Sequence, residues 1–156
     1  MMMQVQAVNE VQTAIRERRR LAPSRRGKVM IVDDDPALRQ ALNLRLRANN
    51  YDVVSACDGY SALALAQKER PDVILLDLGL PAGDGFAVLS NLQQFPSLTT
   101  IPVIVLTARD PQSSEARSLK SGAVAFFQKP ADNQELLDTV RTCLETGQAF
   151  TRRWPR

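Results

Sequence analysis

Five side chains in this 156-residue chain could share one piece of chemistry: Asp33, Asp34, Asp77, Thr107 and Lys129. Three carboxylates brought to one place repel and raise each other's pKa values. The usual relief is a hard cation, and carboxylate oxygens suit Mg2+. A Mg2+ held by one or two carboxylates keeps several waters, and such a site suits a phosphoryl group. An Asp beside the cation is a candidate nucleophile that would form an acyl phosphate. The metal neutralises phosphoryl oxygens while the carboxylate attacks in line. Lys129 can neutralise another oxygen as a point charge, and the Thr107 hydroxyl can donate to a third. A carboxylate is already ionised, so no general base is needed. Asp77 fits the nucleophile, because the apolar run Val73–Leu76 leads straight into it and a charge there needs a partner.

Each residue also has a plainer explanation. Asp35 reads as a helix N-cap and nothing more. Asp33 and Asp34 could be local caps, but two acids directly before a capping Asp exceed what one helix needs. Thr107 alone would be a strand-end hydroxyl, and Lys129 alone a solvated lysine. The set, in this order and at these positions, carries the argument.

The positions depend on the elements. Lys28–Asp33 is a short, β-branched apolar run and predicts a buried strand. Asp35-Pro36 predicts a cap and first helical residue, with Leu38, Ala41, Leu42 and Leu46 at helical spacing up to Asn49-Asn50. Tyr51–Cys57 is a second strand. Asp58 caps a helix with Ala62, Leu63, Leu65 and Ala66 inward, ending near Arg70 before Pro71. Val73–Leu78 is the third strand and the most apolar, hence central. A Gly79–Gly85 loop leads to Asp84, which opens a helix with Phe86, Val88, Leu89 and Leu92 inward. Pro102–Thr107 is the fourth strand. Asp110-Pro111 repeats the cap device for a helix ending at Gly122, and Val124–Gln128 is the fifth strand. Asp132 and Glu135 form a capping box for a last helix to about Glu145, with Gly147 as its C-cap candidate.

Five strands alternating with five helices imply right-handed crossovers and a parallel, doubly wound sheet. Its ligand site should lie beyond the C-terminal ends of the strands, at a topological switch point. Asp33-Asp34, Asp77, Thr107 and Lys129 all fall at that rim.

Composition narrows the chemistry further. The chain has no histidine, which removes Ser–His and Cys–His nucleophile pairs, histidine phosphotransfer on this chain and most zinc sites. Cys57 and Cys143 match no metal spacing and read as small buried hydrophobes in a reducing compartment. No apolar run approaches the roughly 18 residues of a membrane span, and no signal-peptide pattern opens the chain, so a cytoplasmic location is expected. Three segments are expected: 1–27, a basic N-terminal extension, disordered or a short helix; 28–147, the folded domain; and 148–156, a short basic tail. Residues 1–27 carry six Arg against two acids and 148–156 carry three Arg, while 28–147 hold 11 Lys/Arg against 15 Asp/Glu. An acidic body does not favour nucleic-acid binding. In the extension, Met1, Val5, Val8, Val11 and Ile15 would lie along one side of a helix, interrupted by Gln4 and Gln12.

IVDDD at 31–35, LLDLGLPAGDG at 75–85, VLTA at 105–108 and FFQKP at 126–130 resemble the receiver domain of two-component response regulators. The resemblance spans about residues 27–147. It implies the flavodoxin-like receiver fold, a five-stranded sheet in the order 2-1-3-4-5. It also implies Asp77 as phospho-acceptor, Asp33 and Asp34 as the acidic pair with Asp34 the direct Mg2+ ligand, and the Gly79 backbone carbonyl as a further ligand. Mn2+ could stand in for Mg2+. Thr107 would be the switch hydroxyl, Lys129 the phosphoryl-binding lysine and Phe126 the switch aromatic. Gly79 and Arg109 would occupy the two positions that tune dephosphorylation.

The function implied is a phosphorylation-dependent switch, not an enzyme in its own right. It would be fed by a histidine kinase or histidine phosphotransfer protein and would signal through a protein contact or a homodimer. Two alternatives remain at this level: a pseudo-receiver that works without phosphate, or a receiver fragment of a larger regulator. A flavin-mononucleotide binder fits poorly, because the loop after the first strand is acidic. A haloacid-dehalogenase-type phosphatase needs a second Asp where Gly79 stands.

Overall fold

The computed structural model describes residues 2–21, 25–81 and 84–146, the side chains of 18–21 excepted. The expectations for Met1, Gly147 and the 148–156 tail lie outside the described residues. Five strands form one parallel sheet: Lys28–Val32 (β1), Asp52–Ala56 (β2), Val73–Leu76 (β3), Val103–Thr107 (β4) and Ala125–Gln128 (β5). Their order is β2-β1-β3-β4-β5, as expected. Six helices accompany them among the described residues: Met2–Leu21 (α1), Pro36–Ala48 (α2), Gly59–Glu69 (α3), Gly85–Gln94 (α4), Pro111–Lys120 (α5) and Asn133–Thr146 (α6).

The count of five helices is therefore corrected to six. The extra one is α1, twenty residues long and exposed along its described side chains. Neither Gly nor Pro interrupts the chain over 2–21, and its Ala, Gln, Glu and Arg residues favour helix more than its valines oppose it. No helix among the described residues is long and apolar enough to cross a membrane.

Period two in the strands divides the core between the faces of the sheet. Met30, Val32, Ile74, Leu76, Val103 and Val105 pack with Ala62 and Ala66 of α3 and with Phe86, Val88, Leu89 and Leu92 of α4. Val29, Ile31, Val53, Leu75, Ile104 and Leu106 pack with Leu42 and Leu46 of α2 and with Leu136, Val140 and Cys143 of α6. β3 is buried at every residue, which agrees with its central place. Each fully buried Leu or Val contributes about 1.5–3 kcal/mol relative to exposure. Ala41, expected on an inward face, is exposed, because Leu42 and Leu46 already fill the stripe that α2 turns to the sheet.

Caps fall where carboxylates were expected. Asp35 Oδ1 accepts from the Ala37 and Leu38 N–H groups, and Asp58 accepts from Ser61 N–H. Asp84 accepts from Phe86 N–H and Asp110 from Gln112 N–H. The Glu135 N–H donates to Asp132 Oδ1 at 2.9 Å, one half of the expected capping box. α3 ends on Arg70 in the left-handed conformation, φ 45°. Cys143 is buried, and burial pushes its thiol pKa up to about 11. Cys57 is exposed instead of buried, because it lies one residue past β2, where the chain leaves the sheet.

The chain runs from β1 outward to β2 and then crosses to β3 on β1's other side. The crevice between the ends of β1 and β3 is therefore the switch point. The start of α4 packs tightly against the end of β3 beside this crevice. Gly85 N–H donates to the Leu78 carbonyl at 3.1 Å. A Cβ on Gly85 would press into the Asp77 carbonyl and would sit 2.5 Å from Leu78 Cα, both backbone atoms that cannot swing aside. Gly85→Ala is expected to destabilise the fold by about 1–3 kcal/mol, the usual cost of overpacking. Urea denaturation checks it, and an unchanged midpoint would refute this close approach.

Candidate functional site

Asp33 and Asp77 are the residues immediately beyond β1 and the buried stretch of β3. Asp33 N–H donates to the Ala56 carbonyl and Asp77 N–H to the Val32 carbonyl, at 3.1 and 2.9 Å, so the sheet ladder still holds both backbones. By alternation they continue the face of Val29–Ile31 and Val73–Leu75, which points both carboxylates the same way. Asp33 is 3% and Asp77 7% exposed. Asp34 turns out to solvent.

Carboxylate oxygens of Asp33, Asp34 and Asp77 all lie within 4.8 Å of one another. Lys129, just past β5, reaches in with Nζ 2.7 Å from Asp33 Oδ2 and 3.2 Å from Asp77 Oδ2. Its backbone N–H is fixed by the Thr107 carbonyl at 2.8 Å, so the strand end aims the side chain. The peptide bond between Lys129 and Pro130 is cis.

The electrostatics reflect burial and pairing. Burial pushes the Asp33 carboxyl pKa up, against the hydrogen bonds from Lys129 and from Asp35 N–H, and the Asp77 charge adds to the rise. Burial alone would lower the Lys129 ammonium pKa, but its bond to Asp33 and the charges of Asp33 and Asp77 outweigh that and hold it above the usual lysine value. The two directions agree on one state, a charged lysine facing one carboxylate too many for the space.

Other predicted residues take definite places. Gly79 N–H donates to Asp77 Oδ1 at 3.0 Å, and a Cβ there would stand 3.7 Å from that same oxygen. Glycine thus leaves the exposed side of the carboxylate open. Thr107 is fully buried at the end of β4, and its Oγ1 accepts from Arg109 N–H at 3.3 Å. It belongs to the opposite face of the sheet from Asp77, the face of Val103 and Val105. Phe126 pairs with Val105 in the β4–β5 register and packs, partly buried, on that face. Thr107 and Phe126 are therefore diagonal neighbours on one side of the sheet, while Asp33 and Asp77 lie on the other.

Sequence reasoning missed several contacts here. Arg39 Nη1 donates to the Asp33 carbonyl at 2.7 Å and ties α2 to the acidic end of β1. Arg109 Nη1 lies 3.5 Å from Asp84 Oδ1, and the guanidiniums of Arg109 and Arg117 lie 5.8 and 3.8 Å from the centre of the Phe86 ring. A single sequence holds no signal for these pairs, since loop geometry alone brings them together.

Three acids lie at one rim, with a lysine between two of them and a buried hydroxyl at the end of β4; the carboxylates form a group that could hold a divalent cation. Residues 29–141 match the response regulator receiver domain model, and the chain belongs to that family. Receiver domains are the phosphorylation switches of two-component systems, signalling domains in general and not catalysts. Over 115 residues it is 40% identical to response regulator PleD of Caulobacter vibrioides, covering 74% of this chain and 25% of PleD. It is 32% identical over 117 residues to protein PilH of Pseudomonas aeruginosa, covering 75% of this chain and 97% of PilH. Among solved structures, the receiver domain of Francisella response regulator 1452 superposes with a TM-score of 0.73 at 31% identity, over 78% of this chain and 99% of that one. Chemotaxis response regulator CheY4 of Vibrio cholerae gives 0.69 at 32% identity, over 74% and 97%. The chain thus spans a quarter of PleD, and 48% of the regulator RpaA of Synechocystis, which is 39% identical.

The raised Asp33 pKa has a sign that can be tested. A carboxyl that holds its proton more tightly folded than unfolded costs stability as pH rises from the unfolded value through the folded one. Above that window the cost is constant. Asp33→Asn, measured without divalent cation, is expected to melt higher than the wild type at neutral pH. The gap should close as pH falls below the unfolded value of about 3.9. Thermal melts across pH check this, and a variant that melts lower at pH 7 would refute a carboxylate strained by burial.

Proposed function

We propose that the chain accepts a phosphoryl group on Asp77 from a histidine kinase or histidine phosphotransfer protein and passes the signal on through a protein contact. The observation that carries this reading is the placement of the Asp77 carboxylate. It stands at the switch point, held by Lys129 at 3.2 Å and Gly79 N–H at 3.0 Å, with Asp33 and Asp34 beside it. In this reading Asp34 is the direct ligand of Mg2+ or Mn2+, with Asp77 and the Gly79 carbonyl completing the protein's share and Asp33 supporting from behind. The cation, when bound, neutralises the transferring phosphoryl oxygens. Asp77 supplies the attacking oxygen, and Lys129 leaves its contact with that carboxylate for a phosphoryl oxygen.

Thr107 is then the hydroxyl that senses the product. To donate to a phosphoryl oxygen on Asp77 it must turn away from its own face of the sheet. That face is the one it shares with Phe126, so space opens beside the aromatic ring. Phosphorylation biases two packings of one surface, built from α5, β5 and α6, and need only favour one of them. A partner or a second copy of the chain would read that surface. Residues 28–147 are the unit this requires; 1–27 and 148–156 hold none of the site residues. A kinase-fed switch of this kind works in the cytoplasm, where ATP supplies the phosphoryl group.

Incubation with Mg2+ and acetyl phosphate, followed by intact mass, tests the reading. A single phosphoryl adduct is expected, absent in Asp77→Asn and about 10²-fold slower to form in Lys129→Ala, the scale for losing one charge-stabilising donor. No adduct on the wild type would favour a phosphate-independent interaction module instead. Thr107→Ala is expected to take the phosphoryl group yet bind partner with the affinity of unphosphorylated protein. Deleting residues 1–26 is expected to leave acceptance at Asp77 unchanged, and loss of it in a folded deletion variant would refute the assigned boundaries.

A further inference from the structure

Two loops flank Asp77, one running from β3 to α4 and one from β4 to α5, and a short chain of contacts joins them. Asp84 stands at the end of the first, and its Oδ1 both accepts from Phe86 N–H at 3.2 Å and lies 3.5 Å from Arg109 Nη1. Arg109 stands in the second, with its guanidinium also within 5.8 Å of the buried Phe86 ring. Its backbone N–H donates to Thr107 Oγ1 at 3.3 Å. The Thr107 hydroxyl is thus bonded to the residue whose side chain is anchored across the gap to α4. Arg117, from α5, lies 3.8 Å over the same ring.

We propose that Arg109 is a positioning residue: its bridge to Asp84 straps the β4–α5 loop, and with it the Thr107 hydroxyl, in the position described here. This rests on the reading of Asp77 as phospho-acceptor. For the hydroxyl to reach a phosphoryl oxygen on Asp77, Thr107 must give up the Arg109 N–H or draw the 108–110 segment with it. The first costs a hydrogen bond at a fully buried residue, and the second stretches the bridge to Asp84. Either way the bridge opposes phosphoryl acceptance and sets how readily Asp77 is loaded. Both side chains of the bridge are about two-fifths exposed, at 41% and 43%, so its effect is graded and not all-or-none.

A direct role for Arg109 predicts something different. If its positive charge attracted the phosphodonor or held the phosphoryl group, removing it would slow loading, whereas neutralising Asp84 would speed it. The strap predicts that both changes act in the same direction and by the same amount.

The test uses the full chain, Mg2+ and acetyl phosphate, with the loading rate at Asp77 read by intact mass. Asp84→Asn keeps an oxygen to cap Phe86 N–H and removes only the charge. Arg109→Gln removes the other half of the bridge. Each is expected to load roughly three- to fivefold faster than wild type, the effect of one partly exposed ion pair. The double variant should match either single one, because both break the same bridge. Arg109→Lys, which can still reach Asp84, should return to the wild-type rate. Wild-type rates in both single variants, a slower Arg109→Gln, or effects that multiply in the double variant would each overturn the strap while leaving Asp77 as acceptor. A wild-type protein that takes no phosphoryl group would overturn both.

Discussion

The burial of the Asp33 carboxylate beside Asp77, with Lys129 between them, is the constraint around which the site is arranged. Two nearly buried carboxylates lie close enough to share one ammonium, with a third carboxylate, Asp34, at the rim. Burying charge this closely is costly unless an opposite charge accompanies it. Lys129 supplies one positive charge, which leaves the cluster net negative. The fold therefore keeps an unspent attraction for a cation at the rim where the ends of β1, β3, β4 and β5 converge. The same attraction keeps a phosphoryl group away unless a cation accompanies it. That conditional affinity suits the proposed switch, in which the site would respond to a metal-assisted phosphoryl group and not to any passing phosphate.

The sheet makes such a cluster tolerable. Backbone ladder bonds continue to Asp33 and Asp77, and a parallel sheet covered on both faces does not yield locally. β3, buried at all four residues, sets the Asp77 backbone, and the close approach of Gly85 lies against Asp77 and Leu78 from the other side. The cores on the two faces of the sheet hold the strand ends that carry the acids in place. Rigid strands position the acids. Gly79, Asp84 and the 108–110 segment all lie outside the strands, where the proposed response would take place. This division places stability and responsiveness on different segments of the same rim.

Much of this was legible in the residues, for reasons that differ by element. Asp35-Pro36 and Asp110-Pro111 announced helix starts, because a capping carboxylate with proline after it satisfies local backbone geometry whatever surrounds it. The run Val73–Leu76 marked the central strand, because only a strand covered on both faces can be apolar at every position. The convergence of Asp33, Asp77, Thr107 and Lys129 came from topology, since parallel strands bring all their C-terminal ends to one side. Less accessible were features set by facing alone. Cys57 was expected inside and lies outside, because one residue beyond β2 decides its burial. α1 was underestimated, because its valines weaken a helix that its other residues support, and propensity sums of that kind are closely balanced. The pairing of Arg109 with Asp84, and of Arg117 with Phe86, depends on how two loops and a helix meet in space, and nothing in residue spacing encodes it.

The two faces of the sheet complete the physical picture. Asp77 continues the parity of the α2 and α6 side, whereas Thr107 and Phe126 belong to the side packed by α3 and α4. In the proposed switch, a phosphoryl group on Asp77 would act on Thr107 around the end of a strand and not through its middle. At that edge the next residues have left the ladder, so a hydroxyl can change partners without breaking sheet hydrogen bonds. Deeper in the strand the same rotation would need the core to repack, at a cost one new hydrogen bond does not offset. Placing the Thr107 hydroxyl at the last residue of β4, with the Thr107 carbonyl still bonded to Lys129 N–H, gives it one fixed end and one free end. The fixed end ties the Thr107 backbone to the residue just past β5. The free end passes through Arg109 to Asp84 and α4, so in the proposed switch phosphorylation would reach the loops before the surface around Phe126.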